Sequence, residues 1–449
     1  MTPFEKIQAY SKAVCAQMRW KKAHPIITEE IENHLIDQRN AYMADGADEA
    51  AATDKAITQM GDPVTVGAQL DRTHRPKPQW GLMAIAIVFL VSGITFQFIM
   101  QWGSGYRWMV NLFIAEIIGL AIFSGLCFSN FTWIGRYSKI IVSFLVVLFC
   151  LGFVFVRPNI LSANANAVLL VFPVGFAGIV YSLRNKGYRG IILSICTLSV
   201  LMIIPILAQA RWLRSECILV VLSSLAVLCV AIAKRWFGVK PIKGLIVVAI
   251  PATVALILLT VFIISDSSRL EWFLGAFNSS YKTLNPETAG WQLKAMLSGS
   301  KFIGHGTMPD GTNNGSGYGI WTILTSLIYQ FGWISVIPII SLFIIFIVIS
   351  LRLCPRQKST LALYLSISAT MVLSLEFIGY VIFNLGFYVL PSISLPLICQ
   401  PGNYVFYANM ALIGMMLSVF RTGHVIKDNN LLAAHRLIPF QNGKLIFSK

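Results

Sequence analysis

Apolar residues gather in ten long blocks after residue 80, at 81–100, 108–128, 138–156, 166–183, 190–208, 216–233, 244–264, 333–351, 361–383 and 403–420. Each approaches the roughly 20 residues that a helix needs to cross about 30 Å of hydrocarbon. Ten transmembrane helices are expected. Two apolar stretches differ. Residues 318–332 are too short to cross and have the length of a re-entrant segment. Residues 389–402 hold Pro391, Pro396, Pro401 and Gly402, which argue against a continuous helix. Irregular backbone at membrane depth survives only beside protein or a wet cavity, so these stretches and the polar loop 265–320 sketch one cavity.

Residues 1–78 have a different pattern, with short apolar periodicities and frequent charges. Pro3 to Arg19 has near-helical apolar spacing. A second helix is expected after Pro25, with Thr28 as its cap and Glu29 and Glu30 in its first turn, where acids suit the helix dipole. A third is expected from Asp48 to Met60, ended by Gly61-Asp62-Pro63. His74-Arg75-Pro76-Lys77-Pro78 reads as a stiff basic linker. The fold class is therefore all-α: a small helical domain at 1–78, then a transmembrane domain at 79–449.

Charge orients the blocks. The first 79 residues carry 10 Lys/Arg against 11 Asp/Glu, and the remainder carries 25 against 8. Arg136, Lys139, Arg184, Lys186, Arg189, Lys234, Arg235, Lys240, Lys243, Arg352, Arg356 and Lys358 fall in loops on one side. The opposite short loops hold Arg107, Arg157, Arg211 and Arg214. The positive-inside rule puts both termini in the cytoplasm and residues 265–320 outside. With no apolar core of a signal peptide at the N-terminus, the first span is expected to serve as the insertion signal.

Composition agrees: 56% of residues are hydrophobic, 12% are charged, and mean hydropathy is +0.71. That balance excludes a soluble globular class. The eight cysteines lie scattered without a CxxC, which suggests neither a disulfide framework nor a zinc site. No metal-ligand cluster, nucleotide loop or nucleophile elbow is present, and nothing points to nucleic acid. Few acids lie in the spans, which disfavours a transporter or channel.

The polar stretch from Trp291 to Gly332 carries a likeness. Trp291-Gln292, Ser298-Gly299-Ser300 and Gly304-His305-Gly306, followed by Gln330-Phe331-Gly332, resemble the large-loop signature of the SEDS membrane glycosyltransferases (shape, elongation, division and sporulation). Asn384-Leu385-Gly386, Leu390-Pro391 and Leu395-Pro396-Leu397 resemble that family's penultimate span, and Gly402, Asn409 and Gly414 its last. The likeness covers 285–420 well and 80–284 weakly. Residues 1–78 instead resemble a small helical prefix domain of some Gram-positive membrane proteins, through Arg19-Trp20-Lys21-Lys22 and Met60-Gly61-Asp62-Pro63. The sequence also departs from the family. A gapless count back from Gly332 puts Trp321 where the family has an essential aspartate, although Met308-Pro309-Asp310 resembles its preceding proline–acid pair. Gln209-Ala210-Arg211-Trp212 replaces a glutamine-proline-aspartate element.

The resemblance implies a bacterial cell-membrane protein that extends glycan strands from lipid II or a related undecaprenyl-linked substrate. It also implies a divalent cation rather than a tightly bound cofactor, and a single-pass transpeptidase partner. Such chemistry needs a base within hydrogen-bond reach of the acceptor hydroxyl and cations for the departing pyrophosphate. Between Glu287 and Glu376 the one acid is Asp310, so Asp310 is the first candidate base and Glu287 the second. Pro309-Asp310-Gly311 is equally a turn sequence, which leaves a structural role open. Lys294, Lys301, Arg211 and Arg214 are candidate pyrophosphate partners, and His305 a candidate base or phosphate partner. Trp291, Gln292, Ser298, Gln400, Asn409 and Asn384 complete the substrate-binding set. Glu376, an acid within a span, suits either cavity lining or a hydrogen-bond network, and Glu116 a structural role. Two functions follow: a lipid II polymerase, or a catalytically degenerate relative that binds a lipid-linked precursor or scaffolds a division or elongation complex.

Overall fold

The computed structural model describes residues 2–100, 106–155, 158–207, 214–264, 274–275, 277, 289–307, 322–387, 395–396, 404–426, 440–441 and 444–445. The chain divides into two units, Met1–Pro78 with Arg421–Lys449, and Gln79–Phe420.

The first unit holds α1 (Pro3–Ala16), α2 (His24–Ala44), α3 (Glu49–Met60) and α4 (Pro63–His74). Thr2 and Glu5 start α1 with a reciprocal capping box, which satisfies two donors that a helix N-terminus otherwise leaves open. A short 3-10 turn, Lys21–Ala23, leads straight into α2. Thr28 therefore lies inside α2 and is not its cap, and Glu29 and Glu30 sit beyond its first turn. The third helix lies where it was expected, with Asp48 just outside it as the cap. Gly61-Asp62-Pro63 does more than stop a helix. Gly61 (φ 94°) ends α3, then Asp62 caps a fourth helix with Pro63 in its first turn, where proline's missing N–H costs nothing. Ile7, Val14, Ile27, Ile31, Leu35 and Ala56 form the core. Each large aliphatic there contributes about 1.5–3 kcal/mol by burial, and Leu35→Ala would cost about 2–5 kcal/mol. Gly67 brings α4 against α1, since a Cβ there would lie 2.6 Å from the Val14 carbonyl.

The second unit contains α5 (Trp80–Met100), α6 (Tyr106–Phe128), α7 (Thr132–Phe155), α8 (Pro158–Ser182), α9 (Gly187–Leu207), α10 (Arg214–Ala233) and α11 (Pro241–Ile264). The short α12 (Ala289–Ser298) and α13 (Ile323–Phe331) follow, then α14 (Ile337–Leu353), α15 (Thr360–Asn384) and α16 (Tyr404–Thr422). Ten of these coincide with the ten apolar blocks. Among the described residues five segments are long and apolar enough to cross a membrane: Thr132–Cys150, Glu216–Ala233, Trp333–Arg356, Thr360–Asn384 and Tyr404–Thr422. Shorter apolar helices lie within α5, α6, α8, α9 and α11. The outer faces are themselves apolar, with Ile87, Ile117, Ile140, Phe144 and Ile246 exposed, as lipid rather than water requires. The chain is an all-α polytopic membrane protein. A minimal antiparallel ladder, Phe440–Gln441 with Lys444–Leu445, lies outside this bundle unit.

The bundle centres on α15 and α16, whose spanning segments are 78% and 83% buried. Small residues let backbones approach, which is how membrane helices gain packing without a hydrophobic drive. A Cβ on Gly414 would lie 2.6 Å from the Phe123 carbonyl, and one on Gly178 would lie 2.7 Å from Ser138. Ser418 donates to the Ser129 carbonyl at 2.7 Å, closing α16 on the end of α6.

Residues 323–331 form α13, which at nine residues is about 13 Å long and cannot span. Gly332 ends it, and the turn Trp333–Val336 leads into α14. Of 389–402, only 395–396 are described, so the expected break there lies outside the described residues.

Candidate functional site

The family-like stretch folds as α12, a tight loop and α13 against the end of α15. The loop is stitched to the far end of α13 by backbone bonds. Gly306 N–H donates to the Tyr329 carbonyl (2.7 Å) and Gly304 N–H to Phe331 (3.1 Å). Trp333 N–H donates to Lys301 and Ile334 N–H to Phe302, both at 3.2 Å, and Thr307 N–H closes the loop on Gly299 (2.9 Å). Glycine permits this closeness. A Cβ on Gly299 would fall 1.9 Å from the Thr307 carbonyl oxygen, and one on Gly306 would fall 2.8 Å from both the Gly299 carbonyl and the Tyr329 ring.

The near end of α13 is held by α15. The first N–H groups of a helix lack partners within it. Here Asn384 Oδ1 accepts from the Thr325 N–H at 3.1 Å and from its hydroxyl at 3.0 Å, while the Thr325 hydroxyl also reaches the Asn384 carbonyl at 2.7 Å. Tyr380 Oη accepts the Leu324 N–H at 3.4 Å. Asn384 Nδ2 donates to the Tyr380 carbonyl at 3.0 Å. Asn384 thus caps α13 from another helix.

Lys294 lies within this frame. Gly386 (φ 90°) makes a left-handed turn at the end of α15, and its missing side chain accommodates the Lys294 stem, whose Cγ would be 3.2 Å from a Cβ there. The ammonium donates to the Gly275 carbonyl at 3.0 Å. The residue is 8% exposed, and burial lowers its pKa from the usual lysine range. Phe277 and Phe387 approach nearby, with ring centroids 6.4 Å apart.

The other candidates sort by position. Trp291 is half-buried and Gln292 exposed on α12. Ser298 is exposed, and its hydroxyl donates to the Ala295 carbonyl at 2.9 Å. Lys301 and His305 are exposed on the loop. The His305 ring stands edge-on to Tyr329 at 4.9 Å, and its Nδ1 meets the Gly306 carbonyl. Glu376 and Asn409 form a separate, deeper pair. Both are buried, and Asn409 Nδ2 donates to Glu376 Oε1 at 3.0 Å. They sit about 12 Å down α15 from Asn384, at 1.5 Å per residue. Glu116, also buried, is an electrostatic neighbour of Tyr407. Asp310, Glu287, Arg211 and Gln400 lie outside the described residues. Arg214 is the first residue of α10, its side chain outside them.

Most residues expected to wall the cavity, 308–321 and much of 388–403, also lie outside the described residues. An apolar hollow along α7, lined by Lys139, Ile140, Ser143, Phe144 and Val147, shares no residue with the site. No group of three His, Cys, Asp or Glu able to hold a metal occurs among the described residues. The acids nearest in sequence for a cation, Glu287 and Asp310, are not among them. Sequence reasoning missed Thr325, Tyr380 and Tyr329, which sit inside apolar runs that give no local sign of their distant partners.

No family model matches the chain, and no curated protein matches it. A solved chain does, from work on structural coordination of polymerization and crosslinking by a peptidoglycan synthase complex. The TM-score is 0.57 at 16% identity, over 77% of this chain and 98% of that one. What the two share is the fold.

Proposed function

We propose that the protein is a SEDS-type membrane glycosyltransferase of cell-wall synthesis, polymerising lipid II glycan strands on the outer face. In this reading both termini are cytoplasmic, residues 265–320 are external, 318–332 re-enter from outside, and a single-pass transpeptidase is the partner. The observation that carries it is the docking of loop 299–307 by four backbone bonds onto α13 and the turn at Trp333–Ile334, with a fifth, from Thr307 to Gly299, closing the loop on itself. Gly299, Gly304, Gly306 and Phe331 of that likeness to a polymerase family are among the residues so joined, within a fold shared with a chain of a peptidoglycan synthase complex. A rigid platform of this kind supports positioning, on which glycosyl transfer depends.

Asp310 is the proposed base, with Glu287 second, and Lys294 the proposed partner for pyrophosphate. A buried ammonium is worth more toward an anion than an exposed one, because the local dielectric is lower. Lys301 and His305 add exposed polar groups on the loop. A divalent cation would stabilise the leaving pyrophosphate, and Asp310 and Glu287 are the acids available to hold it.

Trp321 at the position of the family's aspartate favours a second reading, in which the chain binds a lipid-linked precursor without polymerising it. Polymerisation of labelled lipid II by the purified protein, beside Asp310→Asn and Glu287→Gln, separates the two. Strands from the wild type that vanish in Asp310→Asn support the enzyme. Lipid II binding without strands, repeated with a transpeptidase partner present, supports the binder.

A further inference from the structure

At the opposite end of α15 from the candidate site, two helix connections are joined into one basic plate. They are α8–α9, at 183–186, and α10–α11, at 234–240. Asn185 N–H donates to the Trp236 carbonyl at 3.1 Å and Gly187 N–H to Phe237 at 2.9 Å. Trp236 forms the centre. Its ring stacks on Tyr181 at 5.3 Å, meets Tyr364 of α15 edge-on at 5.9 Å, and donates through Nε1 to the Tyr181 carbonyl at 3.3 Å. Arg184 lies over its face at 4.9 Å.

The plate carries Arg184, Lys186 and Arg189 from the first connection and the start of α9, all exposed. The second adds Lys234, Arg235, Lys240 and Lys243, also exposed. Residues 183–190 and 233–243 contain no Asp or Glu, and no acid pairs with these seven side chains among the described residues. Tyr188 (42%) and Ile242 (76%) are exposed beside them, so the charges border apolar surface and not open water. That is the composition of a headgroup boundary.

Backbone strain falls here too. Among the described residues the two non-glycine residues with positive φ are Asn185 (56°) and Arg235 (54°), both in this plate. Arg235 closes α10 with bonds from Trp236 N–H to the Ala231 carbonyl and from its own N–H to Ile232, both 2.9 Å. This is a helix ending in which glycine is usual. An arginine held in a conformation that glycine adopts freely points to a use for its charge.

We infer that this plate is a binding site for the phosphate headgroups of anionic phospholipids. The two bonded connections hold the cations in fixed register, and Tyr188 and Ile242 contact acyl chains beneath the headgroup. Sequence alone gives a scatter of positive loops. The structure adds their fusion into one rigid surface.

The test is binding of a fluorescent phosphatidylglycerol analogue to the full-length protein in neutral-detergent micelles, beside a phosphatidylcholine analogue. The wild type is expected to prefer the anionic lipid by at least tenfold. Each neutralised cation should weaken it by about fivefold, the usual contribution of a basic residue at an anionic surface. Arg235→Gly is the decisive variant, because it removes the charge while relieving the strained backbone and so cannot act by unfolding. Arg184→Gln should behave alike, and Lys12→Gln, an exposed cation of α1 in the first unit, should leave affinity unchanged. Equal binding of both lipids overturns the inference, as does an unaltered affinity in Arg235→Gly. Displacement of the lipid by millimolar inorganic phosphate also overturns it, in favour of a soluble anion.

Discussion

Replacing Gly332 with alanine should release the Lys301–Ile303 arm of the loop while leaving the bundle folded. Gly332 has φ 92° and ψ 170°, a region that only glycine enters readily. A Cβ there would lie 2.5 Å from the Phe302 carbonyl oxygen and 2.7 Å from Ile303 Cα, both backbone atoms that cannot rotate aside. Keeping the native geometry would cost about 1–3 kcal/mol of dihedral strain plus about 1–3 kcal/mol of overpacking. Release is cheaper. It gives up the bonds from Trp333 to Lys301 and from Ile334 to Phe302, about 0.5–1.5 kcal/mol each. Phe302 and Ile303 are 66% and 65% exposed, so little burial is lost with them. Hydrogen exchange read by mass spectrometry should show Trp333 and Ile334 amides exchanging about 5–150-fold faster, the factor that about 1–3 kcal/mol implies. Amides of α15 should not change. Unchanged exchange at Trp333 and Ile334, or equal acceleration throughout α15, would refute this reasoning.

Three further outcomes are expected. Asn384→Leu strands the buried N–H of Thr325, whose hydroxyl keeps the backbone carbonyl of residue 384, and should lower stability by about 1–3 kcal/mol in detergent unfolding, whereas Asn384→Asp keeps an acceptor and should lose less. An equal loss in both would deny the capping role. Glu376→Gln should retain the contact with Asn409 and unfold near the wild-type midpoint, while Glu376→Leu should be destabilised; the reverse order would contradict a hydrogen-bond role. Asp62 has a pKa held below its usual 3.8, chiefly by the Thr65 N–H. A carboxylate with a depressed folded pKa stabilises above the unfolded value, and that stability is lost as pH falls through the folded one. Protection of the α4 amides should therefore fall in acid below about pH 4 in the wild type and less so in Asp62→Asn, after correction for intrinsic exchange.

The apolar helices were legible because hydrophobic length alone dictates them: each of the ten blocks contains or borders a helix within a few residues, and five of the described segments are long and apolar enough to cross a membrane. The short helices were harder. Gly61-Asp62-Pro63 holds a stop and a start in three residues, so the stop hid α4. Thr28 looks like a cap only while the helix is assumed to begin after Pro25, and the turn at Lys21–Ala23 moves that start back to His24. At the site, the stretch Trp291–Gly332 was legible and the fate of its side chains was not. Thr325 meets Asn384 across 59 residues of sequence, and nothing local to either announces the pairing. Lys294 looks like a solvated charge until Gly386, far along the chain, is seen to make room for its stem.

The short helix α13 is fastened at both ends, by Asn384 and Tyr380 at one and by the loop on Gly332 at the other. It therefore works as a connecting rod. A helix is stiff along its axis, and the close packing around it leaves little room to absorb a shift. Movement at the Asn384 end of α15 must reappear at Gly304 and Gly306, whose backbones hang from the far end of the rod. A partner leaning on α15 would thus reposition the loop without touching it.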